Sequence, residues 1–362
     1  MKTSEYKFSV NVDKESFFHL NWRIFFISIG VGFLVALFQL IFSYTNFVSP
    51  LTSVQRTEIF PSLYPNLEKT RNNFVLHKKK SLVSEAYAAA APYTQAVSYA
   101  VIDYDNGEIL ESKDLSGKRA IASLTKLMTA VVAMDLASPD EVYTASYKTA
   151  NIQPTKIGLI PGQKMTLREL MEGLLMTSAN DTAEMIKEGI DQKYGEEVFI
   201  KAMNVKAKFL GLKNSNFDNP QGFDSSNNYS SVEDLSILTH YALENYPLIA
   251  EIVKKDYDFL PQNQLHKQYD LYNWNGLLGV YPEVLGVKIG NTKDAGMTMI
   301  ALSKRGNKKI LAVLLGAPGI LERDLWTSQL LDLGFKETKG LAVVNVTEQQ
   351  LLDKYSTWKY WN

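Results

Sequence analysis

Residues 121–132 read Ile121-Ala122-Ser123-Leu124-Thr125-Lys126-Leu127-Met128-Thr129-Ala130-Val131-Val132. Leu124, Leu127, Met128, Val131 and Val132 recur at i, i+3 and i+4 spacing, and the positions between them are mostly apolar too. This pattern predicts a helix buried on most sides, which needs other elements around it. Upstream, residues 96–103 are rich in strand formers, Asp105-Asn106-Gly107 is a strong turn signal, and residues 108–111 return as a second strand, so a hairpin is expected there. A second hairpin is expected late, where residues 297–302 and 309–315 flank Lys304-Arg305-Gly306-Asn307. Between the hairpins the signals are mainly helical. Leu167, Leu170, Met171, Leu174 and Leu175 make one helix, opened by the capping box Thr166-Leu167-Arg168-Glu169. Another starts near Asp181, with Glu184 placed for the same box, and residues 322–333 form a closing amphipathic helix. Strands at both ends around a helical insertion imply an α+β domain. Its antiparallel sheet is flanked by helices, and a site lies between the two.

The totals narrow the chemistry. The chain has 362 residues, enough for one core of about 240 residues with accessory segments. Lys and Arg total 38 against 39 Asp and Glu, a balance without the basic footprint of a nucleic-acid binder. The absence of cysteine removes disulfides, thiolate nucleophiles and cysteine zinc sites. His19, His77, His240 and His266 show no ligand spacing, so solvated or packed imidazoles are the reading for all four.

Residues 24–47 carry no charge, and 24–42 are nearly all apolar. At about 1.5 Å per helical residue such a run nearly crosses the ~30 Å hydrocarbon layer. The bulky residues after it offer no small-residue cleavage site, so an uncleaved anchor is expected. Lys2, Lys7, Lys14 and Arg23 precede the run and only Arg56 follows closely, which keeps the amino terminus in the cytoplasm. The expected organisation is a cytoplasmic tail (1–23), a transmembrane anchor (24–47), a tether (48–93), a catalytic domain (94–336) and a carboxy-terminal tail (337–362). The tether carries prolines 50, 61, 65 and 92 and the basic run Lys78-Lys79-Lys80, without sustained periodicity.

Three short motifs stand in order: Ser123-Leu124-Thr125-Lys126, Ser178-Ala179-Asn180 and Lys288-Ile289-Gly290. Each is weak alone, but together they approach the S-x-x-K, S-x-N and K-T-G set of penicillin-binding proteins and class A β-lactamases. Residues at i and i+3 of a helix share a face, so Lys126 lies beside the Ser123 hydroxyl, and burial disfavours its charged form. A neutral lysine can take the serine proton without a histidine. Ser123 at a helix start also meets free backbone N–H groups that favour developing negative charge. Ser178 and Asn180 lie in a loop between two helices, a rigid way to present them to a cleft. Lys288 lies in a strand-like stretch followed by a glycine that permits close approach.

From about residue 96 to 335 the sequence resembles the low-molecular-weight D-alanyl-D-alanine carboxypeptidase family of serine peptidases. Beyond the three motifs, Phe217-Asp218-Asn219-Pro220-Gln221-Gly222-Phe223 is similar to its N-P-x-G block, and Tyr229-Ser230-Ser231-Val232-Glu233-Asp234-Leu235 to the helix entry that follows. Residues 288–296 match K-T-G-x-T-x-x-A-G except at Ile289. The resemblance implies a β-lactamase/transpeptidase-like fold and an acyl-enzyme mechanism on peptidoglycan stem peptides. It also implies β-lactams as inhibitors, no cofactor and no metal. By resemblance, Ser123 attacks the D-Ala-D-Ala carbonyl, Lys126 accepts its proton, Ser178 relays a proton to the leaving D-alanine and Asn180 orients Lys126. Lys288, Gly290, Asn291 and Thr292 bind substrate, with Ser123 and Asn291 N–H groups as the oxyanion hole.

Two features depart from the family. Only 27 residues follow Phe335, too few for the further β-domain many members carry, so the amino-terminal anchor stands in for a carboxy-terminal one. Trp358, Tyr360 and Trp361 in that tail either touch a membrane or wall or pack back on the body. Ile289 replaces the threonine whose hydroxyl helps bind the terminal carboxylate. A bond to a charged group contributes about 1.5–3 kcal/mol, so its loss is expected to weaken that binding roughly ten- to a hundredfold. Two alternatives stay open: a D,D-endopeptidase cutting crosslinks with the same residues, and a catalytically silent wall-binding or β-lactam-sensing protein. A class A β-lactamase is disfavoured by the lack of an E-x-x-L-N segment between Asn180 and Lys288.

Overall fold

In the computed structural model, which describes residues 73–78 and 91–358, a two-residue strand β1 (His77–Lys78) precedes a hairpin of β2 (Ser98–Asp103) and β3 (Glu108–Lys113). A 3-10 turn, Ala122–Leu124, leads into α1 (Thr125–Leu136), followed by β4 (Val142–Thr144) and α2 (Tyr147–Asn151). Next come β5 (Lys164–Thr166), α3 (Leu167–Leu175), α4 (Asn180–Tyr194), α5 (Val198–Phe209), α6 (Val232–Asn245) and α7 (Pro247–Ile252). The chain ends as β6 (Tyr257–Leu260), β7 (Tyr269–Tyr272), β8 (Val284–Thr292), β9 (Gly296–Arg305), β10 (Lys308–Ala317), α8 (Ile320–Lys339) and α9 (Glu348–Ser356). The expected membrane span lies outside the described residues. Among those described, no helix is long and apolar enough to cross a membrane.

Both expected hairpins form and join in one sheet of order β1-β3-β2-β10-β9-β8. Pairing is antiparallel throughout, except that β1 runs parallel to β3. Side chains alternate between faces along a strand. Tyr99, Val101, Ile310, Ala312 and Leu314 pack with Trp326, Leu330, Leu331 and Phe335 of α8 in one apolar cluster. Their neighbours Ala100, Ile102, Leu311 and Val313 are buried on the other side, which α6 and the 3-10 turn cover. Helices on both faces explain why residues 98–103 are buried without a break. β1 covers the edge of β3, and Phe74 stacks on His240 with ring centroids 3.7 Å apart. Phe74, His77 and Lys78 belong to the segment read as a tether.

The buried helix is α1. It touches α3, α4, α5 and α6, and Leu127, Met128, Val131 and Val132 are fully buried. Each such side chain contributes about 1.5–3 kcal/mol, so the helix is anchored through its whole length. The Thr166/Glu169 capping box forms as expected. The box expected at Asp181 and Glu184 does not form: α4 starts one residue earlier, with Ala179 as N-cap and no side-chain cap. Asp181 instead accepts N–H bonds from Ile157, Gly158 and Leu159, while Glu184 pairs with Lys148 and Gln221. The closing helix is longer than expected, and α9 packs back on the body through fully buried Leu351. Trp358 is buried and stacks on Tyr355 at 4.9 Å, whereas Tyr360 and Trp361 lie outside the described residues.

Candidate active site

Ser123 lies in the 3-10 turn rather than in α1 proper. Its predecessor Ala122 has φ +50°, a left-handed conformation uncommon for alanine. Two glycines hold this turn. A Cβ on Gly222 would lie 1.9 Å from the Ala122 carbonyl oxygen, and one on Gly290 would lie 2.8 Å from the Ser123 nitrogen. The N-P-x-G block and the edge strand β8 therefore clamp the serine from both sides by close backbone approach.

Lys126 Nζ lies 2.9 Å from Ser123 Oγ and donates to Asn180 Oδ1 and the Gln221 carbonyl, each at 2.7 Å. Those two oxygens come from different segments: Asn180 opens α4, and Gln221 follows Pro220, whose carbonyl accepts Thr129 Oγ1 of α1 at 2.8 Å. Lys126 is completely buried. Burial, then the nearby Lys288 charge, hold its ammonium well below the usual lysine range, partly opposed by Asp181. A lysine so placed is a base with its acceptor side toward Ser123. Asn180 Nδ2 donates to the Gln153 carbonyl and its backbone N–H to the Thr155 carbonyl. The loop bearing Thr155 is thereby tied to the cleft.

Ser178 has φ +62° and is buried, and its Oγ finds no hydrogen-bond partner among the described residues. Leaving a buried hydroxyl unpaired costs about 1–3 kcal/mol, a cost that a bound substrate group in the cleft can offset. Ser123, Ser178, Gly290 and Asn291 line one cavity of about 130 Å³, with Thr155, Trp274, Ile289, Met297, Ile320 and Arg323. A wider groove of about 570 Å³ adjoins it, sharing Thr155 and Trp274 and continuing past Lys156, Tyr269 and Tyr272.

Lys288 stands on β8 opposite Ile300, on the same face as Gly290. It is buried, donates to the Ile289 carbonyl at 3.0 Å, and is lowered to about 7 by burial and then by Arg323. Ile289 faces the other way, into the apolar cluster with Met299, and also borders the cleft. Thr292 ends β8 at the position two beyond Gly290, on the face of Lys288 and Gly290. Its Oγ1 accepts the Ala295 N–H at 3.3 Å, and it is not among the residues lining the cavity.

Sequence reasoning missed Gln221 as a partner of Lys126, although it stands inside the quoted N-P-x-G block. It also missed Arg323, which is 1% exposed and reaches the cleft from the first turn of α8. Only a basic residue among acidic neighbours marked that position.

The D-alanyl-D-alanine carboxypeptidase family profile matches residues 85–319. The chain is 35% identical over 274 residues to the D-alanyl-D-alanine carboxypeptidase DacF of Bacillus subtilis, covering 74% of this chain and 69% of that one. Among solved structures, the Streptomyces K15 DD-transpeptidase superposes with a TM-score of 0.61 at 28% identity, over 66% of this chain and 97% of that one. Penicillin-binding protein D2 from Listeria monocytogenes, in its cefotaxime-bound form, gives 0.58 at 28% identity, over 67% and 97%.

Proposed function

The chain belongs to the D-alanyl-D-alanine carboxypeptidase family, and from that premise we propose that it is a serine peptidase that removes the terminal D-alanine of peptidoglycan stem peptides through an acyl-enzyme on Ser123. The observation that carries this reading is the buried Lys126 Nζ, 2.9 Å from Ser123 Oγ. Lys126 takes the hydroxyl proton as Ser123 Oγ bonds to the penultimate carbonyl carbon. The tetrahedral oxyanion meets the Ser123 and Asn291 N–H groups, a contribution of about 3–4 kcal/mol per donor. The C–N bond then breaks. Ser178 Oγ passes a proton to the departing amine and is reprotonated from Lys126. Water, deprotonated by Lys126, hydrolyses the ester and restores Ser123.

A substrate ending in a free carboxylate needs a cation in the cleft, and Arg323 lines it. Lys288 adds positive charge from behind. Arg323 supplies the carboxylate partner that Ile289 cannot, and this favours the carboxypeptidase over the endopeptidase reading. The apolar run 24–47 and its basic flank support a single-pass anchor with the catalytic body outside the cytoplasm.

Intact-mass measurement of the protein after penicillin treatment should show one adduct, absent from Ser123→Ala and from folded Lys126→Ala. Uncrosslinked pentapeptide should release D-alanine faster than crosslinked peptide is cut. An unmodified wild type or equal labelling of Ser123→Ala would overturn the nucleophile, and preferential cleavage of crosslinks would move the reading to an endopeptidase.

A further inference from the structure

Helix α9 reaches the cleft through a relay of side chains. Tyr355 Oη donates to Asp324 Oδ2 at 2.7 Å. Asp324, fully buried, accepts Arg323 Nε on Oδ1 at 2.7 Å and Nη2 on Oδ2 at 2.9 Å. Arg323 also donates Nη2 to the Trp274 carbonyl at 3.2 Å and borders the cleft beside Ser123 and Ser178. The Nε–Nη2 edge of the guanidinium is thus held by the protein, and Nη1 takes part in neither contact. A second tie runs in parallel. Lys354 Nζ donates to both Asp256 carboxylate oxygens at 2.6 and 2.7 Å, and the Asp256 carbonyl accepts the N–H of Asn273 at 2.9 Å. One helix therefore grips both the counter-ion of Arg323 and the loop whose carbonyl orients it, although α9 lies beyond the family match at 85–319.

A long arginine side chain carries much rotamer entropy, and a planar two-point clamp fixes its guanidinium in one orientation. The clamp works only if the carboxylate is itself held. Asp324 is buried, so its oxygens need donors beyond those of Arg323, and Tyr355 supplies one. We propose that Asp324 and Tyr355 are positioning residues that aim Arg323 at the free carboxylate of the substrate's last residue, so that α9 sets the preference for peptides ending in a free acid. This rests on Arg323 being the carboxylate partner proposed above.

The test compares diacetyl-Lys-D-Ala-D-Ala with its C-terminal amide on the full chain. Competition against fluorescent penicillin labelling of Ser123 gives the affinity for each peptide whether or not it is cut. Tyr355→Phe keeps the ring on Trp358 and deletes one hydroxyl. Its affinity for the acid should fall about fivefold, part of the roughly tenfold or more that a bond to a charged group is worth, with kcat for the acid and affinity for the amide unchanged. Asp324→Asn should fall further in the same pattern, and it carries the test if Tyr355→Phe does not fold. Equal losses on acid and amide, or none on either, would overturn the proposal. Arg323→Ala separates the two readings. If it loses acid selectivity while Tyr355→Phe and Asp324→Asn do not, only the positioning role fails; if Arg323→Ala keeps selectivity, the carboxylate reading itself fails.

Discussion

Two buried ammonium groups, Lys126 and Lys288, set the behaviour of the site: burial makes both protons harder to keep, the Lys288 charge adds to the effect on Lys126, and Arg323 adds to that on Lys288. Lys126 must be neutral to accept the Ser123 proton, and Lys288, lowered to about 7, must be charged to attract a carboxylate. Activity should therefore rise with pH as Lys126 loses its proton and fall as pH passes about 7 and Lys288 loses its own. The profile of kcat/KM, which reports the free enzyme, should be bell-shaped. Lys288→Arg, with a group that stays charged, should lose the alkaline limb; an unchanged limb would assign it to another residue. The same shifts bear on stability. Both folded pKa values lie below the unfolded lysine value, so the unfolded chain binds more protons between them and about 10.4. In that window stability rises with pH, and at neutral pH the buried lysines cost stability.

At the scale of elements, reactivity depends on a short turn that secondary-structure signals did not distinguish from the helix after it. The apolar period predicts helix from Leu124 and finds it, within a residue, at α1. What the period cannot show is that Ala122 adopts φ +50° and that Ser123 lies in a 3-10 turn, since alanine carries no left-handed signal. Beside it stands Gly222, with φ +88°, so close that an added Cβ would fall 1.9 Å from the Ala122 carbonyl oxygen and 3.0 Å from the Ser123 nitrogen. No flexible side chain is there to yield. Gly222→Ala should displace the serine and slow penicillin acylation by about a hundredfold, the cost of misplacing a reacting group by roughly 1 Å. The far-ultraviolet circular dichroism should be retained. Near wild-type acylation in this variant would show that the turn is held by other contacts.

For the whole molecule, the topology proposal has a direct test: protease added to cells with permeabilised outer layers should digest the catalytic body and spare the amino terminus. Protection of residues beyond 47, or a soluble body released by a signal peptidase, would contradict the anchor. Within the described residues, much of the architecture was legible. The Asp105-Asn106-Gly107 turn, the two apolar runs that flank residues 304–307 and the box at Thr166 are set by sterics and hydrogen bonds within a few residues, so a local window contains their cause. The pairing of Ser123 with Lys126 is local in the same way, three positions apart along one turn. What makes Lys126 a base is not local. Its partners Asn180 and Gln221 are 54 and 95 residues away, and its loss of charge comes from burial by four other helices and from Lys288 on a distant strand. Nothing local marks Arg323, Asp324 and Tyr355 as a group, 31 residues separating Asp324 from Tyr355, until folding brings them together and removes water from around them. The sequence by itself determined which groups could react and which elements carry them. Only the tertiary structure decided their protonation, their aim and the bracing of the cleft by α9, because desolvation and long-range hydrogen bonding depend on which segments meet.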